Sequence, residues 1–249
     1  MKNPAQMGFV TDVLFNLPDD QQRYPYNLPA LQGLSALPLD PQVTFITGEN
    51  GSGKSTLIEA IAIAYGFNAE GGSVNFSFAT RQSSSDLYRH LRLRKAARHP
   101  RDGFFLRAES FYNVATNIES MDSLPAVSRP IIASYGGKSL HEQSHGESFL
   151  SLFLNRFGGN GLYILDEPEA ALSAERQLAF LARLHDLVRD GSQFIIATLS
   201  PVILSYPQAT IYQIGADGLQ RSTYEETAAY RFTHLFINNY PQVLRELLQ

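Results

Sequence analysis

A glycine-rich loop with a lysine and three hydroxyl side chains carries the clearest chemistry in the sequence. The loop consists of Gly48, Glu49, Asn50, Gly51, Ser52, Gly53, Lys54, Ser55 and Thr56. Glycines let the backbone curl so that successive N–H groups point at an anion, and a following helix adds its positive end. In a phosphate-binding loop with this spacing, the lysine contacts the β- and γ-phosphates and the serine holds Mg²⁺. The sequence therefore predicts a site for a nucleoside triphosphate with Mg²⁺.

The segments on either side of this loop have the order that such a site needs. Val43 to Thr47 is an apolar run that predicts a buried strand, and Leu57 to Ala64 predicts a helix that ends near Gly66. A glycine-rich turn without a ligand is the alternative. The strand before the loop and the helix after it favour the phosphate-binding interpretation.

Two acidic residues follow a second apolar strand further along the chain. The strand is predicted for Leu162 to Leu165, and it delivers Asp166 and Glu167 at its end. Asp166 would bind Mg²⁺, directly or through water, and Glu167 would polarise the water that attacks the γ-phosphorus. Two acids after a strand are, by themselves, equally typical of a solvated turn. The phosphate loop upstream favours catalytic carboxylates.

A third motif lies between the loop and the acidic pair. Ser144, His145, Gly146 and Glu147 precede Ser148 to Leu154, which predicts a buried helix. With this motif the chain resembles the ABC ATPases, in particular their SMC- and RecF-like branch and its compact stand-alone members, often labelled AAA family ATPases. In that family a Ser-x-Gly-Gln/Glu signature contacts the γ-phosphate held by the opposite subunit. The resemblance therefore implies ATP as the nucleotide and a head-to-tail homodimer around two ATP molecules. His145 stands where a second glycine is common.

The resemblance also points to three further loops. The D-loop corresponds to Ala170, Ala171, Leu172 and Ser173. Leu199 stands where the family has a histidine that contacts the γ-phosphate, and Glu109 stands where the glutamine of the Q-loop is expected. A leucine side chain neither donates nor accepts a hydrogen bond. Two hypotheses follow: an ATPase whose hydrolysis is slowed by Leu199, and a dimerisation switch that binds ATP without hydrolysing it.

The alternation of buried strands with helical segments predicts an α/β fold. We expect a P-loop NTPase of the ABC-ATPase type, in which a largely parallel sheet is covered by helices and joined by an antiparallel β portion and a small helical lobe. Residues 1–249 are predicted to form a single domain. One lobe comprises about 1–80, 104–120 and 160–249, and the helical signature lobe comprises about 81–103 and 121–159. Within the first lobe we expect a helix from Ser173 to Asp190, with Leu178 on its buried stripe, and a last short helix from Pro241.

Composition excludes several classes of protein. The 249 residues are 44% hydrophobic, which is enough for a full core, and the net charge of −4 argues against a protein that coats nucleic acid. The absence of cysteine excludes disulfides and thiolate metal sites and is typical of cytoplasmic proteins. The sequence shows neither a signal-peptide core nor an apolar stretch long enough to cross a membrane. We therefore expect a cytoplasmic protein without a membrane segment.

A basic segment interrupts this acidic chain between Arg81 and Arg101. Seven basic side chains stand there against two acidic ones, Asp86 and Asp102: Arg81, Arg89, Arg92, Arg94, Lys95, Arg98 and Arg101. We expect a helix from about Asp86 to Arg98, capped by Ser84 or Ser85. The segment is either a surface for DNA or another acidic partner, or a solvated helix face.

Two other patterns leave alternatives open. His141 and His145 satisfy the H-E-x-x-H pattern of zinc metalloproteases, with Glu167 or Glu169 as a third ligand, but Gly146 interrupts the continuous helix that such a site needs. Separately, Tyr24 and Tyr26 precede the phosphate loop at about the distance of the family's adenine-stacking aromatic. Either tyrosine would stack on the base or pack against the sheet.

Overall fold

A seven-stranded sheet lies at the centre of the described chain and positions the predicted site. The computed structural model describes residues 8–73, 85–107 and 145–248. In spatial order the strands are β10 (Gly218–Ser222), β9 (Thr210–Gly215), β3 (Val43–Gly48), β8 (Gln193–Ala197), β7 (Gly161–Asp166), β6 (Asp102–Arg107) and β4 (Gly72–Ser73). The five middle strands are parallel, and both edge strands are antiparallel to their neighbours. The carboxyl ends of the middle strands therefore share one edge of the sheet, where ligands bind in folds of this kind.

Apolar side chains cover both faces of this sheet. Phe45 and Leu165 lie in the core on one face, whereas their neighbours Ile46 and Ile164 lie in the core on the other. On the Phe45 face pack α2 (His145–Asn155) and α3 (Ala174–Arg189), and on the Ile46 face packs α1 (Lys54–Tyr65). Burial on both faces explains why these strands are continuous apolar runs in the sequence.

The ends of the two longer covering helices agree with the predictions, but one buried stripe does not. Gly66 ends α1 with φ of 122°, and its N–H donates to the carbonyl oxygens of Ala62 and Ile63. Ser173 caps α3, because its side chain accepts a hydrogen bond from the Arg176 N–H. The predicted stripe of α3 is wrong at Leu178, which is 61% exposed. The helix is rotated so that its buried residues are Phe180, Leu184, Leu187 and Val188.

A second, antiparallel sheet of three strands corrects the prediction for the basic segment. Its order is β2 (Ala36–Pro38), β1 (Val10–Phe15) and β5 (Leu91–Lys95). The helix expected from Asp86 to Arg98 is wrong, because only Asp86–His90 forms a 3₁₀ turn and β5 then pairs with β1. Leu91 and Leu93 are partly buried while Arg92 and Arg94 are exposed, which is the alternation of a strand. Residues 91–95 thus form a strand where a helix was expected, and the predicted lobe boundaries stay a prediction.

The C-terminal helix is longer than the sequence predicts. It is α5 (Ala228–Leu247), it follows the short α4 (Pro201–Leu204), and it begins after Thr227, which accepts a hydrogen bond from the Tyr230 N–H. The predicted start at Pro241 is wrong, because Pro241 lies inside the helix behind a kink at Asn239. A proline without an N–H bends a helix but does not have to begin it. No residue of α5 is buried.

None of the helices in the described ranges is long and apolar enough to cross a membrane.

Candidate nucleotide site

The glycine-rich loop connects the end of β3 to the start of α1 and packs closely against neighbouring residues. A Cβ atom on Gly48 would lie 2.9 Å from the Cβ of Ile214, and a Cβ on Gly53 would lie 3.1 Å from those of Leu28 and Ala30. Gly53 has φ of 101°, which residues with a side chain rarely adopt. The glycines at these two positions therefore let the loop curl against the rest of the protein. Its concave backbone fits a phosphate group.

The lysine of the loop is buried and already oriented. The Lys54 side chain is 3% exposed, and Nζ donates to the carbonyl oxygens of Gly48 at 2.9 Å and Glu49 at 3.0 Å. The same Nζ lies 3.8 Å from Oε1 of Glu167. The ammonium group thus lies inside the curve of the loop, where it would offset the charge of a bound anion.

The two predicted metal ligands come from different elements and meet at the start of α1. Ser55 Oγ donates a hydrogen bond of 3.1 Å to Oδ1 of Asp166, the last residue of β7. The next residue, Glu167, adopts a left-handed conformation with φ of 50°, and its N–H donates to the Ala197 carbonyl oxygen at 2.9 Å. Hydroxyl and carboxylate oxygens are the ligands that Mg²⁺ takes beside nucleotide phosphates, so the donor set fits this ion. The structure therefore brings together Lys54, Ser55, Asp166 and Glu167.

A cleft of about 240 Å³ opens on Lys54, Ser55 and Glu167. Its lining consists of Tyr24, Leu28, Asn50, Gly51, Gly53, Lys54, Ser55, Thr56 and Glu167. Tyr24 is 62% exposed, and its hydroxyl lies 3.4 Å from Oγ1 of Thr56, whereas Tyr26 is 1% exposed and belongs to the core. Of the two candidate aromatics, Tyr24 is the one that lies at the cleft, and Tyr26 packs against the sheet.

Leu199 follows β8, and its backbone is held by an acidic side chain. Oε1 of Glu169 accepts hydrogen bonds from the Leu199 N–H at 2.6 Å and the Ser200 N–H at 3.2 Å. Burial raises the pKa of Glu169, and the hydrogen bond from Leu199 partly opposes that rise. The loop between β8 and α4 is thereby fixed to the segment that follows Glu167. Its residue 199 presents no polar side chain.

The signature and D-loop candidates lie against each other within one chain. A Cβ atom on Gly146, near the start of α2, would clash with the carbonyl oxygen of Ala171 and with the Arg176 guanidinium. Glu147 forms an ion pair of 3.1 Å with Arg176. Ala170 and Ala171 belong to a 3₁₀ turn, Pro168–Ala171, and Leu172 and Ser173 lead from it into α3. Neither Gly146 nor Glu147 lines the cleft of the same chain.

Some predicted residues lie outside the described ranges. These are Glu109 and Ser144 of the nucleotide hypothesis and His141 of the zinc hypothesis, and of His145 only the backbone at the start of α2 is described. Within residues 8–73, 85–107 and 145–248, no three histidine or acidic side chains gather into a metal cluster. The zinc interpretation of His141 and His145 therefore stays a prediction without support from the described part of the chain.

Two charged residues beside the site were not predicted from the sequence. Arg107 ends β6 and bonds to Glu59 of α1, close to Asp166. The sequence carries a signal for each of them. Glu59 is the single charged residue between Leu57 and Tyr65, four positions after Ser55, and Arg107 directly follows the apolar run Phe104 to Leu106. Residues four apart share a helix face, and the ends of parallel strands share a sheet edge.

Comparison with known proteins agrees with this geometry. A family model described as an AAA domain matches residues 28–100. A curated relative, the ABC transporter G family member STR2 of Medicago truncatula, is 28% identical over 172 residues, which is 64% of this chain. The chain spans about a quarter of the length of that relative, 24%.

Solved structures give the same fold. A structure described as a metal-chelate type ABC transporter in an inward-facing conformation superposes with a TM-score of 0.51 at 15% identity, over 91% of this chain and 88% of that one. A nucleotide-free ATP-binding cassette from an ABC transporter superposes with a TM-score of 0.50 at 14% identity, over 86% of this chain and 91% of that one. The predicted fold class and the resemblance to ABC-type ATPases are confirmed. The family model and the curated relative favour an ATP-binding ATPase, whereas the solved structures show the fold alone.

Proposed function

We propose that this chain binds Mg-ATP in the cleft beside Tyr24 and hydrolyses it slowly within a head-to-tail dimer of two copies. The observation that carries the proposal is the convergence of four side chains from two segments that lie far apart in the sequence. Lys54 and Ser55 come from the start of α1, Asp166 from the end of β7, and Glu167 from the loop after it. Phosphoryl transfer needs mainly positioning and charge neutralisation, which these residues can supply.

Each of the four residues has a distinct role in this proposal. Loop N–H groups and Lys54 bind the β- and γ-phosphates, and Ser55 and Asp166 would hold Mg²⁺, which neutralises charge on the phosphate oxygens when bound. Glu167 is 37% exposed at the cleft and polarises the attacking water as general base. The exposed ring of Tyr24 provides a stacking surface for the base.

The proposed dimer follows from the separation of cleft and signature. The cleft is lined by the phosphate loop and Glu167, whereas Gly146 and Glu147 lie against the D-loop candidate. One copy therefore has no signature residue, among those described, with which to cover its own nucleotide. A second copy arranged head-to-tail would bring Ser144 to Glu147 over the γ-phosphate, with the start of α2 as an anion site.

Leu199 supports slow turnover and also the second candidate function. The residue offers no side-chain hydrogen bond, and its N–H is already bonded to Glu169. The γ-phosphate therefore lacks one contact that would stabilise the transition state. A dimerisation switch that binds ATP with negligible hydrolysis rests on the same observation.

The basic segment supports a further, weaker part of the proposal. Arg89, Arg92 and Arg101 are exposed and available to DNA or another acidic partner. Arg98 instead bonds to the carbonyl oxygen of Gly191 and lies over the ring of Phe9, so it stabilises the fold. Charge reversal at Arg92 tests the surface through salt-dependent binding to DNA.

A mixing experiment tests the proposed dimer. Lys54→Ala removes the phosphate contact of one copy, and Ser144→Arg blocks the signature of the other. Each variant alone is expected to lack ATP turnover and ATP-dependent dimers by light scattering. In an equimolar mixture only mixed dimers form and each has one intact site, so up to about half of wild-type turnover returns. Failure of the mixture to recover, with wild type active, contradicts a site shared between two copies.

A further inference from the structure

The strand ends beside the cleft place an arginine next to the proposed metal ligand. In the parallel pairing of β6 with β7, Arg107 is in register with Asp166, and each is the last residue of its strand. Residues in register on neighbouring strands project to the same face of the sheet. The position of Arg107 relative to Asp166 is therefore fixed by the backbone of the sheet and not by a flexible loop.

Arg107 links α1 to the metal site through two carboxylates. Its Nη1 lies 2.5 Å from Oε2 of Glu59, and its Nε lies 3.7 Å from Oδ2 of Asp166. The other oxygen of Asp166, Oδ1, accepts the hydrogen bond from Ser55. The side chains of Glu59, Arg107 and Asp166 are 10%, 19% and 7% exposed. Ser55 and Glu59 thus lie on one face of α1. The guanidinium of Arg107, which belongs to the sheet, contacts both Glu59 and Asp166.

The two contacts of Arg107 are unequal, and the difference has a physical consequence. The short charge-assisted hydrogen bond to Glu59 anchors the guanidinium, whose planar fork then has a fixed direction. The longer contact orients Oδ2 of Asp166 by charge without engaging it as closely. Oδ1 therefore faces Ser55, so that both proposed metal ligands point into the same space.

We propose that Arg107 is a positioning residue for divalent-metal binding, which orients Asp166 toward Ser55 while Glu59 anchors it. The inference rests on the proposed function, because it assigns the metal ligands to Ser55 and Asp166. Residues that support a metal ligand from behind typically change metal affinity or activity by about 10–100-fold when replaced. A clamp that merely joined α1 to β6 would change stability and leave metal dependence unaltered.

A Mg²⁺ titration of nucleotide binding tests the inference on the whole chain. Binding of a fluorescent ATP analogue is measured at rising Mg²⁺ concentration and also in EDTA, for wild type and Arg107→Gln. We expect the half-saturating Mg²⁺ concentration to rise roughly 10-fold or more in Arg107→Gln, with the affinity in EDTA changed less than about 3-fold. Arg94→Gln is the matched control and is expected to behave as wild type, because Arg94 pairs with Asp12 at 3.2 Å and neither residue lines the cleft.

Conservative variants keep the inference open to refutation. Arg107→Lys retains the charge without the fork and should fall between wild type and Arg107→Gln, and it replaces that variant if Arg107→Gln does not fold. An unchanged half-saturating Mg²⁺ concentration in both Arg107 variants overturns the inference alone. Absence of saturable, Mg²⁺-dependent nucleotide binding by wild type overturns the proposed function, and the inference with it.

Discussion

Two loops at the same edge of the sheet differ in the polar groups that they offer to a ligand. The loop from β3 to α1 has a buried lysine, a hydroxyl group that we propose as a Mg²⁺ ligand, and glycines that let the backbone curl. The loop from β8 to α4 carries Leu199, and its N–H groups are bonded to Glu169. If the proposed function is right, the residues that bind the nucleotide and those that support its hydrolysis lie in different loops. Affinity and turnover should therefore respond to different residues.

The largest expected effect is on turnover, from the carboxylate that follows β7. Glu167→Gln keeps the size of the side chain but removes the general base, so phosphate release should fall by about 10²–10⁴-fold. Binding of Mg-ATP should persist, because Lys54, Ser55 and Asp166 are unchanged. A malachite-green assay with parallel nucleotide-binding measurements checks this, and loss of binding together with turnover would contradict separate roles.

The next effect is on affinity, from the lysine of the glycine-rich loop. Lys54→Ala removes charge-assisted hydrogen bonds that are worth about 1.5–3 kcal/mol each, so ATP should bind roughly 100-fold more weakly. Calorimetric titration with a slowly hydrolysed ATP analogue measures the change. Lys95→Ala serves as a control, since Lys95 is exposed on β5. Equal weakening of ATP binding in both variants would contradict a phosphate contact from Lys54.

A gain in turnover is expected from a substitution in the loop between β8 and α4. Leu199→His adds a hydrogen-bonding side chain at the end of β8, where one good contact in the transition state is worth about 1.4 kcal/mol, or roughly tenfold in rate. We expect turnover to rise by about that factor while ATP affinity changes little. Leu199→Gln as a control adds polarity with a different geometry. Unchanged turnover in Leu199→His would mean that another residue limits hydrolysis.

The smallest effects concern the support of the second loop. Glu169→Ala leaves two backbone N–H groups without their acceptor, which should lower the free energy of unfolding by about 1–3 kcal/mol. Glu169→Gln keeps an acceptor oxygen and should destabilise less. Thermal unfolding of both variants, with circular dichroism as readout, distinguishes a structural acceptor from a residue of no consequence.

The pH dependence of the Glu169→Gln variant has a definite sign. Burial raises the pKa of Glu169, so the folded protein holds this proton more tightly than the unfolded chain does. The resulting stabilisation is complete below roughly pH 4 and is lost as pH rises through the raised pKa. A glutamine side chain does not titrate, so the Glu169→Gln variant does not lose this stabilisation. The melting temperature of the variant minus that of wild type should therefore increase between about pH 4 and pH 7. A difference that decreases with pH would contradict the assignment.

The parts of the candidate site that the sequence predicts are short, contiguous motifs. The loop from Gly48 to Thr56 and the acids after β7 are contiguous motifs between apolar runs, so pattern and spacing suffice. Strand β5 was missed because Leu87 and Leu91 are spaced like residues one turn apart on a helix, and pairing with β1 decides between helix and strand. The position of Arg107 depends on the register of β6 with β7, which a sequence does not state. Long-range pairing therefore accounts for both failures.

The C-terminal helix α5 has a consequence for the dynamics of the chain. Phe232, Leu235, Ile237 and Leu247 are 70%, 58%, 65% and 74% exposed, and no residue of the helix is buried. Helices depend mostly on tertiary packing for their stability, so α5 can open without disturbing the sheet. Its amide hydrogens should accordingly exchange with deuterium long before those of α3. Local unfolding would then begin at α5, while the core next to the phosphate loop remains intact.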